Sequence, residues 1–436
     1  MYRVATQLPR EVLDTILESM DPLNGRQSLR QCALAARSLL PAAQRILFRH
    51  VSLNEVSWTR QGRIDQFHRL LEGSPHLAKY TVELGICYLS PSAKWGDDLS
   101  QKPLASIIPR LQSLKKIDLC LVLEFGTMPA VTSSQVVALL GGMAMPNISS
   151  FSIIGLHAVD INEIFGICEW FAARGGLQNL QLKDISTTVS TIPSQTPSSC
   201  VKTVTPIHLR QFTITRDSKV IDKFLRWATS STSPLRFTEL HELTVSHLTE
   251  QSCVYILRVL DLAKSSLTCL CFMGDTASLS AFQFNAFRHL RCIFFDLRLP
   301  YIERSRPMLN EWCTALERSS GLKLESFIIQ MNTSFRDGLH LGDPLAELAD
   351  YPWNKLEDAL VNGTQCARVV LQIRISFERM KADILQGYFP LLHSNTVSEL
   401  VVRQIVYVAN SRVFRNWEYR SFSREWKEVV VGSFFE

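Results

Sequence analysis

The chain has 436 residues, 46% of them hydrophobic and 20% charged, and a net charge of +5. That composition sets aside the intrinsically disordered class. So small a charge, with no run of one sign, argues against a dedicated nucleic-acid binder, which should carry a basic stripe. The length suits two or three domains, or one small domain followed by a long repetitive one. In chain order, Val12, Leu13, Ile16 and Leu17 come first and fall at helical spacing, with Pro9 placed for a first helical turn. A hinge over residues 21–25 separates this stripe from a second, Leu29, Cys32, Ala33 and Ala36, and a third short helix is expected from Ala43, Ile46 and Leu47 after Pro41. Three helices in about fifty residues hide only a modest share of their apolar surface, so the remainder needs something to cover it.

The opening Leu8-Pro9-x-Glu11-Val12-Leu13-x-x-Ile16-Leu17 is followed by Cys32-x-Leu34-x-x-Arg37-Ser38 and by Leu47-Phe48-Arg49-x-Val51-x-Leu53. In this order and at this spacing the three blocks resemble the F-box, and most of all the version found in fungal F-box proteins. Leu39 stands where members of that family usually carry a Trp, which requires one core contact to be repacked. The resemblance implies a module that docks the Skp-type adaptor of a cullin–RING ubiquitin ligase. It assigns Leu8, Pro9, Val12, Leu13, Ile16, Leu17, Leu29, Cys32, Leu34 and Ala35 to the adaptor-facing surface. Recognition of that kind lays an apolar helix face into a groove, where a few anchors carry the affinity. It also implies a chain that is not itself an enzyme and positions a protein substrate for other subunits. An ordinary helical hairpin packed on its own domain is the alternative for the same residues.

Beyond Leu53 the pattern apolar-x-x-apolar-x-apolar recurs. Copies are expected at Leu77-Tyr80-Val82, Leu114-Ile117-Leu119, Ile148-Phe151-Ile153, Leu177-Leu180-Leu182 and Leu209-Phe212-Ile214. Further copies follow at Leu240-Leu243-Val245, Leu267-Leu270-Phe272, Leu290-Ile293-Phe295, Leu324-Phe327-Ile329 and Val397-Leu400-Val402, with a blurred one near Val370-Ile373-Ile375. In each, the last two apolar positions alternate as a short half-buried strand requires. Helical patterns lie between them, at Ile64-Phe67-Leu70-Leu71, Val136-Val137-Leu140, Ile161-Ile164-Phe165-Cys168, Val220-Phe224-Leu225 and Tyr255-Ile256-Val259-Leu260, with Asp160 and Glu163 forming an expected capping box. A strand and a helix about every 30 residues resemble an irregular leucine-rich repeat, with Asn332 alone at the asparagine-ladder position. A doubly wound sheet is the alternative, although no glycine-rich phosphate loop follows any strand. The expected fold class is therefore α/β (α+β). It comprises a three-helix F-box over residues 1–54, an irregular leucine-rich-repeat solenoid with a curved parallel sheet over 55–413, and a capping tail over 414–436.

Eleven cysteines are scattered without C-x-x-C pairs or a C…H spacing for zinc, so no metal and no cofactor is expected, and buried free thiols suit a reducing compartment. No apolar stretch of signal-peptide or membrane-span type occurs, so a cytoplasmic or nuclear location without membrane or nucleic-acid partners is expected. Catalytic signatures such as G-x-S-x-G, H-E-x-x-H and the phosphate loop are missing, and no catalytic residue is assigned. The Ser/Thr/Pro-rich residues 186–206 read as a loop between repeats, either a plain insertion or a phosphorylation or partner segment. The aromatic and basic residues of 414–436 suit a repeat cap, with single-stranded nucleic acid as the alternative.

Side chains alternating with the buried ones would line the concave face. Ser150, Ser152, Ile154, Asn179, Gln181, Lys183, Gln211, Thr213, Thr215, Glu242, Thr244 and Ser246 form a polar run. Cys269, Cys271, Met273, Cys292 and Phe294 then turn the lining apolar, and Cys271, Met273 and Phe294 are the candidate substrate-binding residues unless a loop or the tail covers them. The function expected is substrate recognition within a Skp–cullin–F-box ubiquitin ligase, for ubiquitin-dependent degradation of an unnamed protein. The alternatives are a non-degradative interaction scaffold that binds the adaptor, or an enzyme or nucleic-acid protein with an N-terminal module of accidental likeness.

Overall fold

A computed structural model of the chain describes residues 10–20, 26–35, 37–55, 63–88, 102–120, 148–155, 161–185, 205–216, 218–246, 248–273, 283–298, 302–319, 321–333, 353–360, 366, 368–375 and 399–406. It is a mixed α/β protein with parallel sheets, and the chain divides into two compact units, residues 1–207 and 208–436.

The first unit opens with three helices, α1 (Arg10–Ser19), α2 (Arg26–Ala35) and α3 (Leu40–Arg49). Pro41 sits in the first turn of α3, where a missing N–H removes no helical bond. Leu17, Leu29 and Ala42 form the shared core, with Met20, Cys32, Leu39, Ile46 and Leu47 packed against it. Leu39 is thus one of the side chains that close this core.

The strand β1 (His50–Glu55) follows α3 without a break, so the boundary expected at Asn54 falls inside a strand. Val51 and Leu53 belong to the sheet rather than to the helical module, because they register with Leu84 and Ile86 of β2 (Glu83–Tyr88). Between them runs α4 (Arg63–Gly73), which buries Ile64, Phe67 and Leu71 and leaves Leu70 exposed. The repeat expected at Leu77-Tyr80-Val82 is corrected by this pairing. Leu77 and Tyr80 lie in a 3-10 turn (Pro75–Tyr80), and Leu84 and Ile86 occupy the strand positions. A 3-10 turn brings apolar residues back every three positions, which imitates the start of the repeat pattern.

The unit continues through α5 (Lys102–Ile107), β3 (Lys116–Cys120), β4 (Ser150–Ile154), α6 (Ile161–Ala172) and β5 (Asn179–Ile185). The sheet order is β1-β2-β3-β4-β5, all parallel, and the pairs Ile117↔Phe151↔Leu180 and Leu119↔Ile153↔Leu182 bring the expected repeats into line. Backbone pairing begins just before each strand, since Val82 N donates to Arg49 O, Lys115 N to Val82 O, Ser149 N to Lys115 O and Gln178 N to Ser149 O. Successive strands are thus aligned at the same point. Gly175, at φ 75°, turns the chain out of α6 in the left-handed conformation and donates its N–H to Phe171 O.

A two-residue strand β6 (Ile207–His208) precedes the long sheet of the second unit. That unit contains β7 (Gln211–Arg216), α7 (Ser218–Ala228), the short β8 (Leu235–Arg236), β9 (Glu242–Ser246), α8 (Glu250–Ala263), β10 (Cys269–Met273) and β11 (Cys292–Arg298). It goes on through α9 (Ile302–Glu317), β12 (Ser326–Thr333), α10 (Trp353–Asp358), β13 (Arg368–Ile375) and β14 (Glu399–Val406). The order β7-β9-β10-β11-β12-β13-β14 is again parallel. Stripes on the helices meet the alternating strand residues, as in α7, where Val220, Ile221, Phe224, Leu225 and Ala228 are all buried.

A capping box starts α8. Thr249 Oγ1 accepts from Ser252 N at 3.0 Å and Ser252 Oγ accepts from Thr249 N at 2.7 Å. Thr249 Oγ1 also donates to the Asp222 carboxylate at 2.9 Å, tying α8 to α7. Two expectations need correction here. Asn332 lies within β12, paired with Arg298 and Arg374, so it is not a turn asparagine. The blurred repeat is shifted by four residues, because Val369 and Leu371, not Ile373 and Ile375, are the partners of Phe327 and Ile329, and Cys366 is the buried residue three positions before Val369. The helical pattern at Val136-Val137-Leu140, Asp160 and the side chain of Glu163, residues 186–204 of the Ser/Thr/Pro segment and the tail 414–436 lie outside the described residues.

Candidate functional site

The first candidate surface belongs to α1 and α2. Val12 and Ile16 are one helical turn apart on α1, 41% and 49% exposed, whereas Leu17 is buried at 3%. On α2, Leu34 is 87% exposed and Ala35 is exposed, whereas Leu29 is fully buried and Cys32 is half-buried against the core. This splits the expected adaptor-facing set. Leu17 and Leu29 are corrected to core residues, because three short helices have little else with which to close their centre. Val12, Ile16, Leu34 and Ala35 remain outward. Leu8 and Pro9 lie outside the described residues, as does the side chain of Leu13. Leu40, which sequence reasoning missed, adds another exposed apolar group. An exposed ion pair, Arg45 Nη2 with Glu18 Oε1 at 2.7 Å, joins α3 to α1.

The second candidate surface is the sheet face opposite the buried strand residues of the second unit. Cys271 registers with Thr244 on one side and Phe294 on the other, and Phe294 registers with Ile328. Met273 sits two residues along from Cys271, next to Ser246. Leu270, Phe272, Ile293 and Phe295 point the other way and are buried, while Cys271, Met273 and Phe294 are only half-buried. The structure therefore brings the three candidate substrate residues together on one face. The polar flank is built as expected at Gln211 and Glu242, where Gln211 Nε2 donates to Glu242 Oε2 at 2.8 Å. Elsewhere the expected open lining is corrected. Ile154 is buried with the core, and Ser150, Ser152, Thr213, Thr215 and Ser246 are buried because short side chains sink between longer neighbours, as Ser152 does between Asp118 and Gln181.

A charged row on the first unit escaped sequence reasoning, because β1 and the true frame of β2 were not recognised. His50 Nδ1 donates to Glu83 Oε2 at 3.2 Å, and Lys116 Nζ lies 3.5 Å from the same oxygen and 3.1 Å from Asp118 Oδ2. The hydrogen bond from His50 is the main reason the Glu83 carboxyl sits below its usual value of 4.5, with Lys116 adding to it against burial. Burial is the largest influence on Lys116 and would lower it, but Asp118 and Glu83 outweigh it and hold the ammonium above its usual range. A carboxyl depressed by folding stabilises the fold above its unfolded-state value, and that stability is lost as pH falls through the lower folded-state value. Glu83→Gln is therefore expected to flatten the loss of stability below about pH 4.5, read from urea midpoints at a series of acid pH values. An unchanged acid limb would mean that the row contributes nothing.

Among the described residues, no group of three His, Cys, Asp or Glu is placed to hold a metal ion. None of the described helices is long and apolar enough to cross a membrane. What the arrangement supplies is surface for contact, in two places and of two kinds. No protein-family model matches the chain, and no curated protein matches it.

Proposed function

We propose that the chain is the substrate-recognition subunit of a Skp–cullin–F-box type ubiquitin ligase. The observation that carries this reading is the exposure of Val12, Ile16 and Leu34 on helices whose own core is already closed by Leu17, Leu29 and Ala42. Apolar side chains left outward on a finished helical unit suit docking into a partner's groove. The half-buried Cys271, Met273 and Phe294 would receive the target protein, and the ligase machinery would place the chain in the cytoplasm or nucleus. Its work under this reading is positioning, with the ubiquitin chemistry done by other subunits.

The test is direct binding of the full chain to purified Skp-type adaptor, followed by the turnover of whatever protein co-purifies with the pair. Adaptor binding with target turnover is the expected result. Adaptor binding without turnover would favour a scaffold, and no binding would overturn the proposal. Replacing Met273 and Phe294 together with Asp is expected to abolish target capture and leave adaptor affinity within about twofold, since a carboxylate on a contact face loses apolar area and is costly to desolvate. Normal capture by that double variant would remove the sheet face from the account.

A further inference from the structure

The β10 and β11 strands carry a second feature that the proposed function does not use. Cys269 and Cys292 are direct register partners on adjacent parallel strands, both half-buried, and both lie on the face shared by Cys271 and Phe294. We propose that Cys269 and Cys292 form a dithiol site that a peroxide oxidant closes reversibly to a disulfide.

Adjacent strands lie about 4.8 Å apart, so aligned Cα atoms fall within the span that a disulfide bridges. In-register side chains of a parallel pair leave the sheet on the same side, and the two thiols are already hydrogen-bonded to each other. The aligned spacing is wider than the roughly 3.8 Å that relaxed disulfide Cβ atoms prefer, so the closed bond would be strained and easily reduced. A structural disulfide would be neither.

The surroundings divide the labour between the sulfurs. The hydrogen bond from Cys269 draws the Cys292 thiol down to about 7, and the Ser326 hydroxyl helps, against burial and the carboxylates of Glu242 and Glu325. Cys269 is pushed up by that same hydrogen bond, by burial, and by Cys292, Cys271 and Glu242. Thiolate character and access decide which cysteines oxidise. In the first step the Cys292 thiolate attacks one peroxide oxygen, the O–O bond breaks, and hydroxide leaves a sulfenic acid on Cys292. In the second, Cys269 attacks that sulfur, the S–O bond breaks, and the Cys269 proton leaves with the hydroxyl as water. The hydroxide takes up the proton that Cys292 released on ionising, so two thiols and one peroxide become one disulfide and two waters. Cys87 and Cys120 are also register partners, but Cys120 is buried, so the oxidant meets the more open pair first.

The test treats the reduced full chain with hydrogen peroxide, blocks remaining thiols with an alkylating agent, and maps the linked peptides by mass spectrometry. A Cys269–Cys292 link is expected in the wild type and in Cys271→Ser, absent from Cys269→Ser and Cys292→Ser, and reversed by dithiothreitol. Wild-type protein in which Cys292 stops at the sulfenic or sulfinic acid without a link would overturn the proposal. A link from Cys292 that persists in Cys269→Ser would overturn it too, by passing the resolving role to Cys271.

Discussion

Under the proposed function, replacing Val12 and Ile16 together with aspartate is expected to weaken binding of a Skp-type adaptor by at least about 100-fold, with the unfolding midpoint of the chain unchanged. Each apolar anchor at the centre of a helix-in-groove interface carries about 2 kcal/mol, and each 1.4 kcal/mol is a factor of ten. The folded chain should tolerate the change. Both side chains are exposed, and an aspartate at position 12 falls in the first turns of α1, where the helix dipole favours a negative charge. The contrast is Leu17→Asp. Leu17 sits in the core with Leu29 and Ala42, so its replacement should unfold the three helices and lose binding for an uninformative reason. Titration calorimetry on the double variant, with circular dichroism as the folding check, separates the two cases. Wild-type affinity in a folded double variant would mean that the outward face of α1 is not the dock.

The division within α1 shows why the helix is legible in the sequence while the side of it that faces the core is not. Val12, Leu13, Ile16 and Leu17 make one apolar stripe, and a stripe that wide has two edges. Which edge faces the core depends on where α2 and α3 lie, and the spacing within α1 carries no information about that. Strands were easier. From Leu114 to Ile329 each repeat placed its alternating pair where the register does, because a one-residue slip would turn every buried side chain outward. The frame failed first at Leu77, where a 3-10 turn supplied apolar residues at a similar spacing, and the strand to which Leu84 and Ile86 belong was passed over. The α9 helix was missed as well, since Pro307 lies inside it and proline ordinarily ends a helical pattern.

The candidate target face was legible because alternation fixes both sides of a strand at once. Knowing that Leu270 and Phe272 are buried places Cys269, Cys271 and Met273 opposite them. Pairing between strands is a different matter. That Cys269 stands beside Cys292, or His50 beside Glu83, follows only from the register between strands 23 and 33 residues apart. Sequence pattern gives each strand its face, while tertiary packing gives it its neighbours. The charged row on the first unit and the dithiol on the second are both properties of neighbours.

Truncation of Trp312 is expected to cost about 3–5 kcal/mol, the range for removing a large aromatic from a core. Trp312 is fully buried on α9, and its ring meets Phe295 at 4.3 Å, Phe272 at 4.7 Å and Phe284 at 5.2 Å between centroids. Those three rings come from β11, β10 and the 3-10 turn at Phe284–Ala286, and Phe295 packs in turn on Phe327 of β12. Rings anchored on separate strands of one sheet cannot collapse far into the space left by alanine, because the backbone ladder holds their spacing. The cost should therefore approach the upper end of the range. Trp312→Phe would keep an edge-on ring against Phe295 and should lose less than half as much. Leu262→Ala, on the exposed side of α8, should lie within about 0.5 kcal/mol of wild type. Urea unfolding of the three variants reads the order directly, with a midpoint shift of about 1–2 M for Trp312→Ala at an ordinary denaturant slope. If Trp312→Ala unfolded at the wild-type midpoint, the aromatic cluster would not be what holds α9 to the sheet.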